Sequence, residues 1–203
     1  MTMLRSLSSS GFLVTFSGID CSGKSTQIQL LVAALEAAGH RCTVVWFRPG
    51  YSAFLDSLRK NIRRASPNLV PSPHDVQARR RTFARPTVKG AWIAMAIADL
   101  LGKYALEIRA RIATGAIVVC DRYLADARLD LLLRFPDATR SIDLALDACE
   151  KLCPIPNAAF LLHIPREEML RRMAMKKEPF PDTPEIRDAR LAAYGRLESA
   201  GSV

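Results

Sequence analysis

Apolar residues along this chain alternate between strand-like runs and helix-like spacings. Phe12-Leu13-Val14-Thr15-Phe16 is a short, β-rich apolar run, as a buried strand requires. After a glycine-rich stretch, Ile28, Leu31, Val32 and Leu35 recur at helical spacing, and Gly39 supplies a stop signal. Residues 41–47 predict a second strand, halted by the turn residues Arg48-Pro49-Gly50. A helix is expected over 53–64, with Phe54, Leu55, Leu58 and Ile62 on one side. Residues 65–74 carry three prolines and read as a loop, and the arginine-rich 75–86 as a partly exposed helix. Residues 91–101 are apolar nearly all round, which predicts a buried helix. Asp99 lies inside it and needs a partner there, either a salt bridge or a ligand. Residues 116–120 form a continuous apolar run of the central parallel kind, ending at Asp121-Arg122-Tyr123. Helices broken near Pro136 follow over 125–150, then a strand over 158–164 and a basic helix over 166–175. A proline-rich loop, 176–184, leads into a last helix over 185–198. Strands alternating with helices predict an α/β fold, a parallel sheet wrapped by helices on both faces.

The stretch between the first strand and helix carries the clearest chemistry. Gly18-Ile19-Asp20-Cys21-Ser22-Gly23-Lys24-Ser25-Thr26 fits G-x-x-x-x-G-K-[ST], the phosphate-cradling P-loop. Glycines let backbone N–H groups turn toward phosphate oxygens, and the helix N-terminus adds partial positive charge. Lys24 is placed to reach the β- and γ-phosphates, and Ser25 to offer its hydroxyl to Mg²⁺. Asp121, at the carboxyl end of a buried strand, stands where such a protein needs an acidic group for Mg²⁺. Arg122 beside it can stabilise charge on a transferring phosphoryl group.

Bulk properties narrow the reading. The 203 residues suit one domain over 11–203, after a serine-rich, disordered leader at 1–10. No apolar run approaches the ~20 residues that span a bilayer, and no signal peptide is evident, so a cytoplasmic protein is expected. Five scattered cysteines, Cys21, Cys42, Cys120, Cys149 and Cys153, read as reduced thiols, and no second pair completes a metal site around Cys149 and Cys153. The net charge of +9 gathers at Arg59, Lys60, Arg63 and Arg64, at Arg79, Arg80 and Arg81, and at Arg171, Arg172, Lys176 and Lys177. These clusters read as solvated helix faces or as phosphate-handling groups for small ligands; a nucleic-acid surface is the weakest reading, since aromatic interleaving and a known binding motif are both lacking.

At this point the chain resembles the thymidylate kinases, a branch of the nucleoside monophosphate kinases. The matching residues are Phe16 to Gln27, the Asp121-Arg122-Tyr123 triplet and the basic helix around Leu170-Arg171-Arg172, with the element order matching over most of 12–197. The resemblance implies the three-layer P-loop fold with four to five parallel strands, ATP as donor with Mg²⁺, a mobile lid (here about 171–184) and a homodimer. It assigns ATP–Mg²⁺ to Lys24, Ser25 and Thr26, the acceptor sugar to Asp20, the transferring phosphoryl group to Asp121 and Arg122, and the acceptor phosphate to Arg48.

Phosphoryl transfer needs positive charge beside the γ-phosphate and exclusion of water. Some family members carry a P-loop arginine for this; here Cys21 or Ser22 stands in that place. Arg171, Arg172, Lys176 and Lys177 are therefore the candidate sources of that charge. Other departures concern the acceptor. Where the family places a thymine-stacking aromatic residue and, four residues on, an arginine, this chain has Ala96 and Leu100. After Tyr123 come Asp126 and Asp130, carboxylates expected to meet hydroxyl or amine donors of an acceptor, with Tyr51 and Asp99 as further acceptor candidates. Tyr51 belongs to an Arg-Pro-Gly-Tyr turn that, with a Lys-Glu-Pro-Phe-Pro-Asp string at 177–182, is similar to an uncharacterised thymidylate-kinase-like group.

The expected activity is ATP-dependent phosphorylation of a small phosphorylated acceptor, dTMP foremost. A different acceptor, such as a modified nucleotide or a sugar or alcohol phosphate, is the first alternative. A GTPase switch would need an Asn-Lys-x-Asp element, which is missing. An inactive nucleotide-binding module is a further alternative, opposed by the intact Lys24, Ser25, Asp121 and Arg122.

Overall fold

The structure is a computed structural model that describes residues 11–50, 52, 55, 57, 61, 62, 64, 81–175 and 183–199. Strand β1 spans Phe12–Gly18, helix α1 Lys24–Ala37, β2 Cys42–Trp46 and α2 Pro86–Leu101. Strand β3 spans Ile117–Asp121, α3 Leu124–Arg134, α4 Thr139–Leu152, β4 Ala158–Leu162, α5 Arg166–Met175 and α6 Pro184–Ser199. The expectations for the leader, for the loop at 65–74, for residues 75–80 and for residues 176–182 lie outside the described residues, as does most of the helix expected over 53–64.

Among the described residues the sheet has four strands in the order β2-β3-β1-β4, all pairs parallel. β1 and β3 lie side by side in the middle, with Phe16 opposite Asp121. That register brings the P-loop and the Asp121-Arg122 turn to the same carboxyl edge. The continuous apolar runs are explained by burial on both faces. Val14, Phe16, Ile117 and Val119 point to α1 and its Ile28. Leu13, Val118, Cys120, Val45 and Phe47 face the other way, against α2, α3 and α4. Val118 and Val119 are wholly buried, each contributing roughly 1.5–3 kcal/mol of apolar burial. A third cluster, Ile19, Leu129, Met169 and Tyr194, ties the P-loop to α3, α5 and α6.

Two expectations change. The helix over 91–101 begins earlier, with Pro86 at its first turn, and continues through a π-helical segment, Gly102–Ile108, to Ala113. It is not buried all round: within α2 only Ala96 and Leu100 are buried. Small residues such as Ala91, Ala94 and Ala98 made a half-exposed helix look like an interior one. Asp99 has no ion pair among the described residues; its partner is the main-chain N–H of Gly50, at 3.1 Å.

Candidate active site

The P-loop backbone is shaped by two glycines. Gly18 has φ +139°, and a Cβ there would lie 2.3 Å from the Leu162 carbonyl oxygen on β4. Gly23, at φ +97°, turns the chain into α1, whose N-terminus has no side-chain cap. Uncapped N–H groups at a helix start suit a phosphate ligand. Cys21 also has positive φ, 65°, and is half-buried. Ile19 is buried in the third cluster, so only its main chain faces the loop. Ser22 is buried and its hydroxyl has no hydrogen-bond partner among the described residues, while Ser25 and Thr26 are exposed.

Lys24 is buried to 7% exposure and folds back over its own loop, donating to the carbonyls of Gly18 at 2.8 Å and Ile19 at 2.9 Å. Burial, assisted by the Arg122 charge, lowers its pKa, against the pull of Asp20 and Asp121. Asp121 ends β3, and its Oδ1 is buried without a partner among the described residues. Burial raises its pKa, with Lys24 and Arg122 opposing. Asp121 and Ser25 line one cavity of about 340 Å³, together with Gln29, Glu36, Val44 and Trp46. An orphaned carboxylate oxygen and an exposed hydroxyl are the hard oxygen donors that Mg²⁺ takes. Among the described residues no group of three or more His, Cys, Asp or Glu side chains could hold a metal by itself.

Arg122 is forced to φ +80°. Its N–H donates to Phe16 O at 2.9 Å, stapling the turn to β1. Its guanidinium pairs with Asp20 and lies 3.4 Å from both Asp126 Oδ1 and the Tyr194 hydroxyl. Burial alone would lower its pKa, but the carboxylates of Asp20 and Asp126 hold it raised. Asp20 thus meets Arg122 within the site and keeps 45% side-chain exposure.

Asp126 is placed differently from the expectation. Only 1% exposed, it accepts from Ser17 Oγ at 2.7 Å, the Tyr123 N–H at 3.0 Å and the Tyr194 hydroxyl. Its oxygens are spent inside the protein, so no acceptor donor can approach it. It caps α3 and anchors the Arg122 turn. Asp130, one turn along, receives Arg48 through Nε at 2.6 Å and Nη2 at 3.1 Å, and Arg190 of α6 on Oδ1. Burial would raise its pKa, but these two arginines hold it lowered. Arg48 reaches the site from the end of β2, whereas Tyr51 lies outside the described residues.

Of the basic helix, Arg172 comes to the loop: Nη1 donates to Cys21 O at 3.2 Å while Glu168 holds Nε at 2.6 Å. Arg171 instead forms a two-point pair with Glu168, both contacts 2.7 Å, and is 64% exposed. Lys176 and Lys177 lie outside the described residues. Sequence reasoning missed Ser17, Glu168, Arg190 and Tyr194. The signal for the last two was present: they are four apart on α6, as Asp126 and Asp130 are on α3.

No family model matches the chain. It is 29% identical over 140 residues to the thymidylate kinase of Ruegeria pomeroyi, an alignment covering 68% of this chain and 56% of that protein. With the thymidylate kinase of Caulobacter vibrioides it is 30% identical over 162 residues, covering 80% and 69%. With that of Solidesulfovibrio magneticus it is 36% identical over 110 residues, covering 54% and 44%. The chain therefore spans little more than half the length of the Ruegeria protein. Among solved structures it is similar to a thymidylate kinase of Ehrlichia chaffeensis, with a TM-score of 0.52 and 20% identity over 93% of this chain and 89% of that one. That likeness extends to the fold: a parallel sheet flanked by helices in the P-loop arrangement.

Proposed function

Because this chain belongs to the thymidylate kinase family, we propose that it moves the γ-phosphoryl group of ATP to a nucleoside monophosphate, with dTMP as acceptor. What carries the reading is the meeting of Lys24, Asp121, Arg122 and Arg172 around one uncapped helix N-terminus. An acceptor phosphate oxygen attacks the γ-phosphorus; a P–O bond forms to it, the bond to the β-phosphate oxygen breaks, and ADP leaves with the electron pair. An acceptor phosphate is already ionised, so no strong base is needed, and catalysis is positioning plus charge neutralisation.

Lys24 exchanges its two carbonyl partners for the β- and γ-phosphates. Arg172, held by Glu168, supplies the charge that a P-loop arginine supplies in other members, and it can do so only when α5 is docked on the loop. Arg122 faces the transferring group and Arg48 the acceptor phosphate. Ser25 and Asp121 would hold Mg²⁺, which would supply charge neutralisation for the transfer. Asp121 must be ionised for that, and its raised pKa means Mg²⁺ competes with a proton as pH falls.

A second reading keeps the chemistry and changes the acceptor. Ala96 and Leu100 are 1% and 0% exposed, sealed in the core beneath the sheet, so neither can touch a base. ADP release measured against a panel of nucleoside, sugar and alcohol monophosphates decides between the two. Turnover with dTMP well above the rest supports the first reading. Turnover confined to another monophosphate supports the second, and no ATP-dependent turnover with any of them defeats both.

A further inference from the structure

Asp126 and Asp130 lie one turn apart on α3 and face Tyr194 and Arg190, one turn apart on α6. In the second rung one carboxylate is shared. Asp130, 9% exposed at its side chain, serves two guanidiniums: Arg190 at 4% and Arg48 at 30%. Of the three groups Arg48 alone has substantial access to solvent. In the adjoining rung Arg122 lies between Asp20 and Asp126.

We propose that Asp130 is a shared counter-ion and Arg190 a positioning residue for the acceptor: Arg190 keeps Asp130 paired while Arg48 is handed to the incoming phosphate. The proposal rests on the acceptor role of Arg48 given above. Without Arg190, turning Arg48 toward a ligand would leave Asp130 buried and unpaired, which is costly. The carboxylate would then hold Arg48 against the ligand. With Arg190 present, Asp130 exchanges two partners for one and remains neutralised. The two-point contact with Asp130 fixes the Arg48 guanidinium plane before a phosphate arrives.

The test is steady-state ADP release with dTMP varied at saturating ATP, together with calorimetric dTMP binding, on the full chain. Arg190→Met is expected to raise the dTMP KM and dissociation constant about tenfold, leaving the ATP KM within twofold. Arg190→Lys, which keeps the charge, is expected to stay close to wild type. The double variant Asp130→Asn with Arg190→Met removes the competing carboxylate and is expected to recover most of the lost dTMP affinity. The proposal is overturned if Arg190→Met leaves dTMP affinity unchanged, if it lowers kcat and both KM values together, or if the double variant binds dTMP no better than the single one. If Arg190→Met does not fold, the comparison of the double variant with Arg190→Lys decides it: a double variant binding dTMP tenfold more weakly overturns the proposal. Arg48→Met separates the two readings. An unchanged dTMP KM in that variant removes the acceptor role of Arg48 itself, whereas a raised one alongside a normal Arg190→Met removes only the shared counter-ion.

Discussion

Lys24 has two hydrogen bonds to give up before it can hold a phosphate, and both are to carbonyls of its own loop. The exchange is nearly even in number, so little reorganisation of the loop is needed on binding. Lys24→Ala is expected to lower turnover about 10²–10³-fold, the scale seen when one charge-stabilising donor is removed; single-turnover ADP formation measures it, and an unchanged rate would remove Lys24 from the chemistry. Gly18 is constrained in a different way. Its positive φ and the 2.3 Å approach of the Leu162 carbonyl exclude any side chain. Gly18→Ala is expected to destabilise the fold by about 3 kcal/mol or more, which urea unfolding would reveal. At this scale spacing alone placed Gly18 in a turn, Lys24 and Ser25 at a helix start and Asp121 at a strand end, because loop geometry is local. Asp126 misled, because its partners, Ser17 and Tyr194, are 109 and 68 residues away. A carboxylate turned inward has the same letter as one that meets a ligand.

The link between α3 and α6 is the element-scale feature with the clearest consequences. Tyr194→Phe removes one donor from buried Asp126 while keeping the ring, and is expected to cost about 1–3 kcal/mol, readable as a lower midpoint in chemical denaturation. The Asp130 rung makes a pH-dependent contribution. Its carboxyl pKa is lowered in the folded state by Arg48 and Arg190, so its stabilisation is complete above the ordinary carboxylate value of about 4 and fades as pH falls below it. Unfolding free energy measured from pH 6 downward is expected to decline more steeply below pH ~4 in the wild type than in Asp130→Asn; equal slopes would mean the rung adds nothing. Most elements were legible from period alone, from β1 and its P-loop to the break at Pro136. The π-helical segment Gly102–Ile108 was not, because one extra residue per turn over only seven residues is too short to leave a periodic mark. The half-exposure of α2 escaped for another reason: alanine is compatible with either side of a helix surface.

Across the whole molecule, alternation of buried runs with helical spacings was enough to fix a parallel sheet, and the glycine loop fixed which edge carries the site. The strand order β2-β3-β1-β4 was beyond that reasoning, since pairing between strands a hundred residues apart leaves no local trace. The same order puts the two tryptophans at different ends of the site. Trp46 closes the exposed strand β2, opposite Asp121, and shares its cavity with Ser25. Trp92 presses its ring against Gly50, beside Arg48, within a cluster of Phe83 and Phe135. The protein thus contains two indole fluorophores, one beside Ser25 and Asp121 and one beside Arg48, next to the two proposed ligand sites. In Trp92→Phe, emission from the remaining indole is expected to respond to ATP with Mg²⁺ and to ignore dTMP; in Trp46→Phe the pattern should invert. Stopped-flow traces of the two variants would give the order in which the ligands arrive, with no dye attached to either.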